Sequence, residues 1–208
     1  MKHYISWTGI IIMLCVLTSA QAQVRIAFVG NSITIGDKLS NPSVECYPNQ
    51  VNLLLKEVYG DTCQIYNSGV SGRTMFKTGD FPIWSENLFK SCYAWEPDIC
   101  YIMLGTNDTK TQNWESCGGG AVFLKDYKAM IDTFRYKNPD ILFMVAYPPP
   151  AIIDNYEIRN AVIQDSVIPA VDSIVNYADA ELVDLYHLLL DSTHLFDPDG
   201  IHPNKEGA

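Results

Sequence analysis

Ile99-Cys100-Tyr101-Ile102-Met103-Leu104 is an uninterrupted apolar run, opened by Pro97-Asp98 and closed by Gly105-Thr106-Asn107-Asp108. A strand with one wet face alternates apolar and polar residues. A run that is apolar at every position fits a strand buried on both faces, as in a parallel sheet covered by helices. Outward from it, residues 24–29, 63–66, 140–147 and 181–186 also read as strands. Between the first two, residues 47–59 place Tyr47, Val51, Leu54, Leu55 and Val58 on one helical face, with Gly60 as a stop. Residues 81–95 are aromatic and read as partly helical. Phe123, Tyr127, Met130, Ile131 and Phe134 form a second stripe, and Val171, Ile174, Val175 and Ala178 a third, with Pro169 able to start or kink that helix. Residues 109–120, with three successive glycines and no periodicity, read as a loop. Residues 191–204 read as a polar loop with turn signals at Asp197-Pro198 and Asp199-Gly200. Five strands alternating with helices make an α/β domain with a parallel sheet and helices on both faces.

The chain has 208 residues, 48% of them hydrophobic and 18% charged, which suits one domain with a sizeable core. A formal net charge of -10 disfavours nucleic acid or an anionic membrane surface as partner and suits a neutral substrate. The N-terminus has the order of a signal peptide. Lys2 and His3 precede an apolar stretch from Ile10 to Leu17, and Ala20-Gln21-Ala22 fits the small-x-small cleavage rule. Residues 1–22 are therefore expected to be removed and the mature chain exported, periplasmic or secreted, without stable membrane association; an uncleaved anchor is the alternative. Bulky Leu14 disfavours lipidation at Cys15. Cys46, Cys63, Cys92, Cys100 and Cys117 remain, an odd number, so at least one thiol is free or bridges to another chain. Cys100, inside the apolar run, reads as a buried thiol. No cysteine or histidine spacing suggests a metal, and no cofactor is expected.

Ligand sites in parallel sheets lie at the carboxyl ends of the strands. Three polar clusters fall there: Gly30-Asn31-Ser32-Ile33-Thr34, Asn67 to Thr74, and Gly105-Thr106-Asn107-Asp108. Hydrolysis through a serine needs a hydroxyl, a base, a group orienting the base, and donors for the oxyanion. Ser32 is the candidate nucleophile. Asp199-x-x-His202 supplies base and orienter, a spacing of three that would stack the two side chains on one helical turn. The Asn107 amide and the N–H groups of Ser32 and Gly72 are suitable oxyanion donors. Each feature has a plainer reading: Ser32 as a helix cap, Asn107 as a turn bridge, Asp199-Gly200 as a turn beside an exposed histidine. His187 and His194 lack such a partner pattern and read as structural or exposed.

These four blocks, in this order, resemble the SGNH hydrolases, or GDSL-type esterases. The blocks are Gly30-Asn31-Ser32, Gly72 in its small-residue loop, Gly105-Thr106-Asn107-Asp108 and Asp199-Gly200-Ile201-His202. The resemblance implies a three-layer α/β/α sandwich of flavodoxin type with a five-stranded parallel sheet, and ester hydrolysis through a serine acyl-enzyme. It implies Ser32, Asp199 and His202 as the triad, with Gly72 and Asn107 joining Ser32 in the oxyanion hole. Asn31 stands where most members have Asp, as in the branch that is similar to carbohydrate O-acetylesterases, including sialate and xylan types. Members usually continue as a helix after His-Pro-Asn, so a sheet face left partly uncovered is expected here. Asn31, Arg73, Asp108 and Tyr147 are candidate substrate contacts, with a local acid the alternative partner for Arg73 and loop ordering the alternative for Asp108. Trp84, Trp95, Trp114 and Tyr147 could stack on sugar rings or serve only in packing. The expected substrate is a small-molecule or glycan ester, most simply an O-acetyl group on a carbohydrate. A lysophospholipase or thioesterase is the alternative within this chemistry, and a non-catalytic sugar-binding module the alternative outside it.

Overall fold

A computed structural model describes residues 23–208; the expected signal peptide lies outside the described residues. The five strands are β1 (Val24–Gly30), β2 (Cys63–Gly69), β3 (Ile99–Met103), β4 (Leu142–Tyr147) and β5 (Glu181–Asp184). They form one parallel sheet in the order β2-β1-β3-β4-β5. This is the three-layer α/β/α architecture expected. The order reverses direction after β1, so the crevice beside the carboxyl end of β1 is the place such sheets offer to a ligand.

Alternate residues of each central strand go to opposite faces, and both faces are apolar, which is why the run in β3 carries no polar residue. Ala27, Val29, Cys100, Ile102, Phe143 and Val145 join the larger core. Three helices cover that face: α4 (Asn87–Ala94), α6 (Gly119–Lys137) and α8 (Ile168–Ala178). Phe123, Tyr127, Met130, Ile131 and Phe134 of α6 are all fully buried, as their spacing predicts. So are Val171 and Ile174 of α8. Pro169 lies in the first turn of α8. It cannot donate to the carbonyl four residues back, and Ile163–Val167 just before it is wound as a π-helix. A short α7 (Asn160–Val162) leads into it.

Ile26, Phe28, Tyr101 and Met103 point to the other face. Among the described residues, α3 (Tyr47–Tyr59), preceded by α1 (Ser32–Ile35) and α2 (Pro42–Glu45), and the short α9 (Leu185–Leu189) lie on it. Tyr47, Val51 and Leu55 of α3 pack there, but Leu54 and Val58 are 61% and 69% exposed. The expected five-residue stripe is thus three residues wide, because α3 shields the sheet along one edge alone. Beside it runs an apolar groove of about 500 Å³, bordered by Phe28, Tyr101 and Met144, by Leu185 and Leu189, and by Gly207 and Ala208.

Two local expectations are corrected. Residues 109–120 are not a loop: α5 (Thr111–Cys117) forms there and ends at Gly118, whose φ of 99° suits a left-handed cap. Seven residues are too few for a stripe to be read, and Trp114 is held by Phe76 and Phe123 from outside the helix. β5 ends at Asp184 rather than running to Tyr186, because Asp184 caps α9 by accepting the N–H of His187. The five cysteines among the described residues are free thiols, with Cys92 and Cys100 buried. Among the described residues no helix is long and apolar enough to cross a membrane.

Candidate active site

Gly30 and Gly69 are register partners at the ends of β1 and β2. A Cβ on Gly30 would lie 1.9 Å from Thr34 Oγ1, and one on Gly69 would lie 2.4 Å from Ile35 N. Only two adjacent glycines let α1 sit directly on the strand ends. Asn31 caps α1, its Oδ1 accepting the Ile33 N–H at 3.1 Å. Ser32 is therefore the first residue of the helix, with its own N–H free of any intrahelical acceptor.

The candidate base arrives from the other end of the chain. His202 Nε2 lies 2.9 Å from Ser32 Oγ, and His202 Nδ1 lies 2.7 Å from Asp199 Oδ2. Both residues are nearly closed to solvent: Ser32 and His202 are each 8% exposed. The Asp199–His202 unit is not the helical turn its spacing suggested. Pro198 and Gly200, the latter at φ 71°, fold it into a tight turn in which the Asp197 N–H donates to the His202 carbonyl at 2.8 Å. Asp199 Oδ1 accepts the N–H groups of Ile201 and His202 at 2.9 and 3.0 Å. Burial works against the charge on Asp199, but those N–H groups and the imidazole outweigh it, and the carboxyl sits below the ordinary carboxylate range. A carboxylate fixed by two backbone donors holds the Nδ1–H tautomer of His202 and leaves Nε2 free to accept from Ser32.

Gly72 and Asn107 follow the carboxyl ends of β2 and β3, the strands on either side of β1. Asn107 is 5% exposed and donates one amide hydrogen to the Arg73 carbonyl at 3.2 Å, which leaves the other unspent. Gly72 has φ 75°, and its N–H is not used in the hydrogen bonds of its own loop. Ser71 donates to Asp37, which ties this loop to the segment just after α1.

The remaining candidates are placed differently. Asn31 is fully buried and acts as the cap. The Arg73 guanidinium is held by Glu86 at 2.7 Å and the Ser71 carbonyl at 2.7 Å, so the local acid is its partner. Tyr147 is buried with its hydroxyl on Asp172. Trp114 is in the core, the Trp84 indole donates to the Met75 carbonyl, and the Trp95 carbonyl accepts from Arg25 near the start of β1, at the opposite edge of the sheet. His187 does have a partner: Asp184-x-x-His187 repeats the spacing, with Nδ1 2.8 Å from Asp184 Oδ2, but its side chain is 59% exposed. Spacing alone therefore does not separate the two pairs; the hydroxyl opposite Nε2 does.

Asp108 is wholly buried and accepts the N–H groups of Met75 and Phe76 at 3.0 and 2.8 Å. Asp126 accepts from the Lys77 N–H and Asn113 from the Asp80 N–H, each at 2.8 Å. These three side chains strap residues 73–81 down and so fix the loop that carries Gly72. The one signal for them in the sequence is an acid, Asp126, inside the apolar stripe of α6. Burial outweighs those N–H donors and raises the Asp108 carboxyl to about 7. An unfolded aspartate titrates near 4, so between about 4 and 7 the folded chain holds the extra proton, and this position loses stability as pH rises through that window. Asp108→Asn is expected to flatten that fall. Urea midpoints measured at both ends of the window should differ less than in the wild type, and an unchanged slope would exclude Asp108 as its source.

Among the described residues no group of three His, Cys, Asp or Glu side chains is placed to hold a metal. The arrangement can deliver a deprotonated serine oxygen to an electrophile and hold a developing negative charge beside it.

Residues 28–208 match the model of the GDSL-like lipase/acylhydrolase family. An acetylxylan esterase of Xylanibacter ruminicola is 33% identical over 89% of this chain and 41% of its own length, so the chain spans less than half of that relative. Among solved structures, a two-domain esterase active on acetylated mannans superposes with a TM-score of 0.62 at 21% identity, covering 90% of this chain and 46% of the other. The acetyl xylan esterase AlAXEase superposes with a TM-score of 0.69 at 18% identity, covering 88% and 93%. At these identities the likeness is one of fold.

Proposed function

Because the chain belongs to the GDSL-like lipase/acylhydrolase family, we propose that it is an exported serine esterase that removes O-acetyl groups from carbohydrates. The observation that supports it most is the continuous chain of hydrogen bonds from Ser32 through His202 to Asp199. Ser32 Oγ attacks the ester carbonyl as its proton passes to His202 Nε2. The oxyanion is held by the N–H groups of Ser32 and Gly72 and the free amide hydrogen of Asn107. Collapse breaks the bond to the sugar oxygen, which leaves with the proton from His202. Water, losing a proton to His202, then attacks the acetyl-Ser32 carbonyl; the bond to Ser32 Oγ breaks, Oγ takes the proton back from His202, and acetic acid departs and ionises to acetate. An acidic chain suits a neutral glycan ester and disfavours nucleic acid as a partner. The acetylxylan esterase relative supports the same substrate class. Acetate release from acetylated xylan, pectin and sialoglycan, with Ser32→Ala as blank, tests the reading; no release from any of them would sink it.

Asn107→Ala should lower kcat about 100-fold, roughly 3 kcal/mol of lost oxyanion stabilisation. KM should change much less. A loss in KM alone would make Asn107 a ground-state contact.

A second reading draws on the apolar groove, which Ile33 and Pro203, the neighbours of Ser32 and His202, help to line. A long acyl chain laid there would make the protein a lysophospholipase or thioesterase. Ser32, Gly72, Asn107 and His202 do not line it; sheet-face residues such as Phe28, Tyr101 and Met144 do. Rates on p-nitrophenyl esters of increasing acyl length decide between them: acetate fastest supports the first reading, a preference for eight carbons or more the second.

A further inference from the structure

The segment after β4, residues 148–159, joins the two halves of the site. At one end the Ile152 N–H donates to the Gly200 carbonyl at 2.8 Å and Asn155 Nδ2 to the Asp199 carbonyl at 3.2 Å. At the other, the Arg159 N–H and Nε donate to Thr109, two residues from Asn107, at 3.1 and 2.6 Å. Between these anchors Tyr156 and Glu157 have φ of 53° and 62°. Two successive non-glycine residues in the left-handed region are disfavoured, because each Cβ crowds the backbone there. The conformation leaves the Tyr156 ring 50% exposed, with its centroid 6.4 Å from that of His202 and its plane at 70°. An aromatic ring held in an unfavourable backbone conformation, half in solvent and beside the base, is not there for core packing.

Its position assigns it a side of the reaction. His202 returns its proton to the departing oxygen, so the leaving alcohol must sit within reach of Nε2, and a ring beside His202 borders that alcohol rather than the acetyl group. Asp154 and Glu157, both exposed, stand on either side of Tyr156 in sequence. They supply acceptors for hydroxyls and repel a carboxylate. We propose that Tyr156 is the stacking platform of the leaving-group subsite and selects a neutral pyranose over an anionic sugar. This rests on the acetylesterase reading above.

The test measures kcat/KM for wild type, Tyr156→Ala and Tyr156→Phe on acetylated xylo-oligosaccharides, on O-acetylated sialic acid and on ethyl acetate, whose alcohol has no ring. In Tyr156→Ala the ratio of the xylo-oligosaccharide value to the ethyl acetate value should fall about tenfold, chiefly through KM, and Tyr156→Phe should restore it. Wild type should prefer the xylo-oligosaccharide to the sialic acid. An equal loss on sugar and ethyl esters would make Tyr156 a support for His202 and overturn the proposal. No loss on either, or a preference for the sialic acid, would overturn it too while leaving the esterase intact. Wild type inactive on every ester would remove the esterase reading itself and the proposal with it.

Discussion

Ser32→Ala is expected to lower kcat for acetate release on the order of 10⁵-fold. The substitution removes the only oxygen within hydrogen-bond distance of His202 Nε2 among the described contacts, while the N–H groups of residue 32 and Gly72 and the Asn107 amide are retained. Water must then attack directly, without an acyl-enzyme, and it has no fixed position between base and carbonyl. The site is otherwise undisturbed, because α1 is capped by Asn31 and seated on Gly30 and Gly69, none of which needs the serine hydroxyl. Melting temperature should therefore stay within a few degrees of wild type. Acetate release, stopped-flow detection of a burst on an activated acetate ester, and thermal unfolding check the three parts. Undiminished turnover would refute the mechanism; a collapsed fold would move Ser32 from chemistry to structure.

Asp199→Asn is the second large effect, on the order of 10⁴-fold in kcat. The direction follows from which atoms the carboxylate serves. Oδ1 takes two backbone donors, from Ile201 and His202, and Oδ2 takes Nδ1–H of the imidazole. An asparagine must keep its oxygen on the two backbone N–H groups, which leaves its amide hydrogens facing Nδ1. Nδ1 then becomes the acceptor, the imidazole proton moves to Nε2, and the base presents a donor to Ser32 where it needs a lone pair. Size and shape hardly change, so KM and stability at neutral pH should move little. In wild type the lowered Asp199 carboxyl adds stability that is present above about 4 and lost as pH falls through its folded value. The variant should lack that acid-side loss. Equal kcat in Asp199→Asn and wild type would leave His202 oriented by something other than Asp199.

The layers of the fold were legible because burial on both faces leaves a mark at every residue, as in 99–104, and because the α6 stripe is long. The three polar clusters at strand ends were legible for the same reason, since the strands announce their own carboxyl ends. What was not legible depends on neighbours that only the fold brings near. Trp114 gives α5 its reason to exist through Phe76 and Phe123, neither of which is adjacent in sequence. Leu54 and Val58 obey helical spacing yet meet solvent, because a period says which residues share a face and not what lies opposite. The pair Asp184/His187 has the same spacing as Asp199/His202, and what separates them is a serine in β1's turn. Tyr156 gave no signal at all, since a left-handed tyrosine reads in sequence like any loop residue.

The bond between Ser32 and His202 joins residues 170 positions apart. Parallel pairing and so distant a closure make assembly slow relative to chains built from local contacts. The consequence is temporal. Until the turn at 197–202 docks, the Ser32 hydroxyl lacks its His202 partner, so turnover is expected only once both ends of the chain are in place. Recovery of turnover during refolding should lag recovery of helical signal, making catalysis itself the clock for the final step of folding.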